Sequence, residues 1–168
     1  MGMSSFLLFK RGESIPANDL LRDLNKICIE EKLFFDNDEE TYDRDGTLKY
    51  TRVYISDIPF RENYSRTICF SLYDEPSEYQ LVSFKWDDTN NEYFKAVVSD
   101  DFDGNEDLLL RFSHAILKIY PTAKIWVEEE WFYTLENLDK ITSMPYKSDW
   151  CYKNPRGKDF KRMSPPIV

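Results

Sequence analysis

A chain of 168 residues is long enough for a single domain with a sizeable hydrophobic core. Its composition, 42% hydrophobic and 32% charged, is typical of a soluble globular protein and excludes a disordered one. The net charge of −9 argues against a protein that binds nucleic acid or anionic membranes, because neutralising phosphates requires a basic surface.

The first part of the chain predicts a strand, a helix and an acidic connection. The apolar residues 5–10 are typical of a strand. Ser14 and Pro16 mark a helix start, because proline is tolerated in the first helical turn. Apolar side chains then recur at helical spacing as far as about Lys32: Leu20, Leu21, Leu24, Ile27 and Cys28. Residues 36–46 are acidic and lack this periodicity, so they predict a loop or hairpin connection.

Four strands are predicted in the middle of the chain, over residues 49–57, 67–73, 79–86 and 93–99. In each segment apolar side chains alternate with other side chains, as in a strand with one buried face. The DDTNN sequence of residues 87–91 has the turn chemistry of a hairpin between the last two strands. Such short connections favour antiparallel pairing.

A second helix is predicted after Asp103 or Asn105, either of which can cap it, and it ends at Pro121. Its apolar stripe is broad, so it should be the most buried helix. Residues 124–133 predict a strand, and Thr134 can cap a short third helix that stops at Met144–Pro145. The expected core includes one residue from the first helix, two from strands and two from the second helix: Leu24, Phe70, Phe84, Phe112 and Ile116.

These elements predict an α+β fold with an antiparallel-rich, mixed sheet of about five to six strands. Two main helices and one short helix are expected to pack on it. Residues 1–146 form the expected single domain, and residues 147–168 form a basic, proline-containing C-terminal tail that is partly irregular. The tail has six basic and two acidic residues, a net charge of +4, which leaves −13 on the domain.

The sequence also bears on the compartment in which the protein works. No run of 18 apolar residues is present, and the first apolar segment is followed, not preceded, by the basic residues Lys10 and Arg11. The three cysteines form no C-x-x-C pair, which excludes a zinc ribbon or a thioredoxin-type site. We therefore expect a cytoplasmic protein with reduced thiols and no membrane association.

No catalytic residue, metal or cofactor is predicted. His114 is the only histidine, and no nucleophile motif accompanies it, so a structural hydrogen bond is the expected role. Two D-x-D-G segments, at residues 43–46 and 101–104, imitate calcium loops. Both place a residue other than glutamate, Arg52 or Leu110, at loop position 12, which excludes an EF-hand and leaves only weak cation binding open. The carboxylates are too numerous to select a glycosidase pair.

Acidic and aromatic residues supply the candidate binding surface. Glu128, Glu129 and Glu130 lie in the predicted strand, and the simplest interpretation is a charged strand that guards against edge pairing. The alternative is a recognition surface for a basic partner, because connections and aromatic side chains are common at binding sites. For this surface we predict carboxylates from two segments and an indole as apolar anchor: Asp100, Asp101, Asp103, Glu128, Glu129 and Glu130, with Trp126 or Trp131.

Two segments carry a resemblance to a known class of proteins: residues 101–141, DFDGNEDLLLRFSHAILKIYPTAKIWVEEEWFYTLENLDKI, and residues 145–152, PYKSDWCY. A small, acidic, aromatic-rich chain of this kind resembles the bacterial immunity proteins of polymorphic or contact-dependent toxin systems. The resemblance extends over about a third of the chain and implies a role, not a fold. That role is tight, stoichiometric binding of a cognate basic toxin, with a nuclease effector domain as the expected partner. An enzyme of another family, a phage-type inhibitor and an adaptor protein are the alternatives.

Overall fold

The computed structural model describes residues 2–61, 64–75 and 78–156. In this part of the chain the helices are α1 (Ala17–Glu30), α2 (Glu106–Ile119) and α3 (Leu135–Thr142). The strands are β1 (Phe6–Lys10), β2 (Phe34–Tyr42), β3 (Leu48–Ser56), β4 (Thr67–Tyr73), β5 (Leu81–Val82), β6 (Tyr93–Ser99), β7 (Lys124–Trp126) and β8 (Phe132–Tyr133). Single 3₁₀ turns cover Tyr64–Arg66, Glu78–Gln80 and Trp150–Tyr152.

The eight strands of the described residues form one sheet, in the order β2-β3-β4-β6-β1-β7-β8. β5 pairs with residues 93–94 of β6, whereas β4 pairs with residues 97–99 of the same strand. The predicted α+β fold is confirmed, although the sheet has more strands than the five or six expected. Its pairings are all antiparallel, including those of the first and last strands, so the described sheet is not mixed.

The core lies between the three helices and one face of the sheet. Four of the five predicted core residues are buried there: Leu24, Phe70, Phe112 and Ile116. The rings of Phe70 on β4 and Phe112 on α2 lie 5.1 Å apart, centroid to centroid. Phe84 was predicted wrongly, since it is only half-buried and packs among other aromatic rings outside this core.

The helices begin close to the predicted residues. The backbone N–H of Ala17, at the start of α1, donates to Asp74 Oδ1 at 2.8 Å, so a carboxylate at the end of β4 caps this helix. Thr134 caps α3 as predicted, because its side chain and that of Asn137 bond each other's backbone N–H. Within the described residues, no helix is both long and apolar enough to cross a membrane.

The acidic segment 36–46 was predicted as a connection, and most of it is strand β2. β2 lies at the edge of the described sheet, where β3 is its one partner strand. Because an edge strand of this kind exposes most of its side chains, it needs no apolar alternation, and its acidic residues discourage further pairing. Only the turn before β3 matches the expectation. There Asp43 N–H donates to the Thr47 carbonyl and Gly46 takes a positive φ of 82°.

Two other predicted strands are much shorter in the structure. Of residues 79–86, only Leu81–Val82 pair with β6, because the chain then turns at Asp87, whose carboxylate accepts bonds from Thr89 and Tyr93. Of residues 124–133, only the two ends are strands, β7 and β8. Between them Trp126 Nε1 donates to the Glu129 carbonyl at 2.7 Å, and Glu128 takes a φ of 58°. A positive φ is incompatible with a continuous strand.

Residues 147–156 pack on the domain, beyond the predicted boundary at residue 146. Trp150 and Cys151 are buried in the core. Trp150 Nε1 donates to the Glu106 carbonyl at 2.9 Å, and the Tyr133 hydroxyl bonds the carbonyls of Trp150 and Lys153. The remainder of the predicted basic tail, residues 157–168, lies outside the described residues.

Candidate partner-binding surface

The second face of the sheet, opposite the helices, has two unlike halves. Strand alternation places Leu7 and Phe9 in the helix-side core, so Phe6 lies on the second face. Around Phe6 is a set of mostly half-buried rings with neighbouring centroids 4.7–6.2 Å apart. We call this the aromatic cluster: Phe6, Phe84, Trp86, Tyr93, Trp126 and Phe132. The other half, on β2, β3 and β4, is polar.

The acidic loop, residues 100–103, follows β6 at the boundary between β4 and β1. Its backbone is fixed by two bonds, from Asp100 N–H to the Cys69 carbonyl at 2.8 Å and from Phe102 N–H to the Met3 carbonyl at 3.2 Å. The Phe102 side chain is completely buried and anchors the loop. The side chains of Asp100, Asp101 and Asp103 are consequently held at the surface, where all three are exposed.

Residues 128–130 form a turn, which we call the Glu turn, and not the strand predicted from the sequence. The exposure still alternates as expected: Glu128 and Glu130 are exposed, and Glu129 is half-buried with its carbonyl bonded to Trp126. The interpretation of this run as a guarded strand edge is wrong, because the run is a turn and not a strand. The turn presents the carboxylates of Glu128 and Glu130 to solvent.

The N-terminal residues join the acidic loop to the Glu turn. Gly2 lies directly against the Asp101 carboxylate, with no room for a Cβ between them. Two residues later, Ser4 N–H donates to Glu128 Oε2 at 3.1 Å. The two predicted acidic segments thus both contact one short backbone segment, residues 2–4.

The two predicted tryptophan anchors occupy different environments. Trp126 lies in the aromatic cluster, with its ring 4.7 Å from both Phe6 and Phe84, and its indole N–H is used within the Glu turn. Trp131 instead packs against the helix-side core and lines a cavity of about 270 Å³ together with Glu130. Of the two predicted anchors, Trp126 therefore lies on the second face of the sheet, whereas Trp131 packs against the helix-side core.

Arg52, which the sequence analysis did not select, balances part of this charge. It lies on β3 and pairs with Asp100 while its Nη1 donates to Ser71 Oγ at 3.0 Å. The hydrogen bond to Asp100 raises the pKa of Arg52, so the guanidinium stays charged at all relevant pH values. Asp100 is consequently neutralised within the chain, whereas Asp101, Asp103, Glu128 and Glu130 make no ion pair in the part of the chain that the structure describes.

A groove on the polar half of the second face was also missed. We call it the Tyr54 groove. It has a volume of about 340 Å³, and Thr67 and six further residues line it: Asp36, Asp38, Tyr54, Phe60, Tyr64 and Cys69. The acidic residues of β2 are visible in the sequence. Because this segment was interpreted as a connection, Asp36 and Asp38 were not recognised as alternate residues of one strand.

The remaining reactive side chains have structural surroundings. His114 Nε2 lies 2.7 Å from Asp139 Oδ1 and links α2 to α3, which is the structural hydrogen bond expected for it. Burial raises the pKa of Cys28 and of Cys151 to about 12, so both thiols stay protonated. Among the described residues, no group of three or more His, Cys, Asp or Glu side chains could hold a metal ion, including those of the D-x-D-G segments.

No protein-family profile, curated protein sequence or solved structure matches the chain.

Proposed function

We propose that the chain is an acidic binding protein that neutralises a basic protein partner by tight stoichiometric association, without chemistry of its own. The partner class that we propose is a bacterial toxin, with a nuclease effector domain as the favoured case. The observation that carries the proposal is the convergence of the acidic loop and the Glu turn on residues 2–4. Two segments separated by more than twenty residues thereby contribute to one exposed surface.

The electrostatics of this surface support a basic partner. Exposed carboxylates that lack an internal cation are free to pair with arginine and lysine, and such pairs gain strength when a partner excludes water. The net charge of −9 attracts a cationic partner over distance and raises its association rate. A nuclease has a positive cleft, because it must hold phosphate, and so it presents the complementary charge.

Co-expression with the product of the adjacent gene tests the proposal. We expect the two proteins to co-purify in a fixed ratio, and we expect the acidic chain to restore growth to cells that produce the partner. Growth rescue without association, or turnover of a substrate by the purified chain, would contradict the proposal.

Nucleic acid provides a second test of the same proposal. The exposed carboxylates repel phosphate, so the purified chain should bind neither duplex DNA nor RNA at physiological salt. Submicromolar binding to either polymer would be incompatible with an acidic inhibitor.

A further inference from the structure

We infer that the Tyr54 groove binds an arginine side chain of a basic protein partner, an inference that rests on the proposed function and assigns it a second contact. The groove lies on the same face as Arg52 and Asp100, across the edge strand β2 and its neighbours β3 and β4. Its volume of about 340 Å³ falls at the lower end of small-molecule sites, which span roughly 300 to 1,000 Å³. One side chain fits a site of this size.

Two carboxylates supply the negative charge of the groove. Asp36 and Asp38 are alternate residues of β2, so they share one face and lie about 7 Å apart along the strand. Asp36 Oδ1 accepts the Asn37 N–H at 2.8 Å, and Asp38 Oδ1 accepts the Tyr54 hydroxyl at 3.0 Å. Neither carboxylate pairs with a lysine or arginine in the part of the chain that the structure describes. Their charge is therefore available to an incoming cation.

Aromatic rings form the other walls. Tyr54 and Phe60 are half-buried, and Tyr64 is 73% exposed. Phe34, which is 43% exposed, extends this wall because its ring lies 6.4 Å from that of Phe60. A guanidinium stacks on such rings and at the same time bonds carboxylates, whereas an ammonium is a strongly hydrated point charge. The combination of flat rings and two carboxylates therefore favours arginine over lysine.

Arg52 is the one cation of this face that opposes a groove carboxylate among the described residues, since it faces Asp38 across β2 and β3. Its guanidinium is held away by an ion pair with Asp100 and a bond to Ser71 Oγ. Asp38 therefore keeps its charge for an occupant of the groove.

NMR titration of the full chain tests the groove without any protein partner. The probe is N-acetyl-arginine amide, and N-acetyl-citrulline amide is the neutral isostere. We expect saturable shifts of the backbone signals of residues 36–38, 54, 67 and 69 with the arginine probe and none with citrulline. Absent shifts, equal shifts with citrulline, or equally tight binding of N-acetyl-lysine amide would overturn the inference.

Matched variants locate the effect. Replacing both carboxylates, Asp36→Asn with Asp38→Asn, should weaken probe binding about fivefold. Tyr64→Ala should weaken it about threefold, the loss of one exposed cation–π contact. Asp43→Asn and Tyr79→Ala, at exposed sites outside the groove, are the controls and should change nothing. Probe binding without co-purification of a basic protein would remove the proposed function alone, whereas co-purification without probe binding would remove the groove alone.

Discussion

At the scale of single residues, Arg66 ties the sheet to the second helix. Its Nη2 lies 2.8 Å from Asp57 Oδ2, just after β3, and 2.8 Å from Asp107 Oδ2 in the first turn of α2. The adjoining Ser65 carbonyl accepts a bond from Asn105 Nδ2 at 2.9 Å. Residues 65 and 66 therefore hold the start of α2 against the end of β3 through polar contacts. The apolar pattern of the sequence does not indicate these contacts.

The Arg66–Asp57 pair predicts a specific dependence of stability on pH. The hydrogen bond from Arg66 lowers the pKa of Asp57 below its ordinary value of 3.8. The carboxylate therefore stabilises the fold above pH 3.8, and this contribution is lost as the pH falls through the lower pKa of the folded state. Asp57→Asn should reduce the free energy of unfolding at pH 7 by about 1 kcal/mol, because the pair is partly exposed.

Urea unfolding between pH 2 and pH 7 measures this effect. The difference between wild type and Asp57→Asn should shrink toward pH 2. Asp43→Asn is the matched control, because Asp43 lies 3.9 Å from Lys49 in an exposed pair that should contribute little. A pH-independent difference for Asp57→Asn would show that the substitution acts through packing and not through charge.

At the scale of elements, the third helix depends on its capping box. Thr134 Oγ1 accepts the Asn137 N–H at 3.3 Å, and Asn137 Oδ1 accepts the Thr134 N–H at 2.9 Å. Thr134→Ala should lower the free energy of unfolding by about 1 kcal/mol, because the Asn137 N–H in the first turn of this eight-residue helix loses its partner. Thr122→Ala, at an exposed turn, is the control, and an equal effect of both substitutions in urea unfolding would contradict the capping argument.

The second helix contributes the largest buried face. It has eight buried residues against five in α1, in agreement with its broad apolar stripe. Phe112→Ala should cost about 3 to 5 kcal/mol in chemical denaturation, since the cavity would lie against Phe70 and cannot fill with water. Tyr79→Ala, at a side chain that is 91% exposed, should change the stability by less than about 0.5 kcal/mol. If Phe112→Ala lowers the free energy of unfolding by less than about 1 kcal/mol, α2 is peripheral to the core.

Elements with a buried face were predictable from the sequence, because burial imposes a period. Residues 67–73 and 93–99 are strands within one residue of the prediction for that reason, and the alternation of Val53 and Ile55 places both in the core. Strand β2 carries no such pattern, since it lies at an edge and exposes most of its residues. Its pairing with β3 is a tertiary contact, which local periodicity in the sequence cannot predict.

The candidate site was predictable in its residue types and less so in its geometry. The proximity of the acidic loop and the Glu turn follows from the pairing of β1 with both β6 and β7. No local pattern specifies that pairing, although the short chain distance between the two segments suggested it. The turn at Glu128 could not be foreseen from a run of three glutamates with flanking aromatic residues. A side chain holds it, because the Trp126 indole N–H donates to the Glu129 carbonyl.

At the scale of the whole molecule, the two faces of the sheet differ in what covers them. The helices cover one face with a continuous apolar core, whereas the second face combines the aromatic cluster with exposed carboxylates. Fold stability and the proposed partner binding can therefore be perturbed separately. Substitutions at exposed carboxylates should alter binding while the core stays intact.

The double charge reversal Glu128→Lys with Glu130→Lys tests the acidic surface on that basis. Both side chains are exposed in the Glu turn, so the fold should survive, as circular dichroism would verify. Affinity for the co-purified partner should fall by more than about 2 kcal/mol, and by more at low salt than at high salt, because counter-ions screen exposed charges. Isothermal titration at two salt concentrations gives both quantities.

The matched control is Glu30→Lys with Glu136→Lys, at exposed helical positions on the other side of the sheet. Each double variant replaces two negative charges by two positive ones and changes the net charge from −9 to −5. Long-range attraction is therefore weakened equally in both, and any larger loss in the Glu128 and Glu130 variant comes from local pairing. Equal losses would leave only long-range attraction, and an unchanged affinity at both salt concentrations would remove the Glu turn from the binding surface.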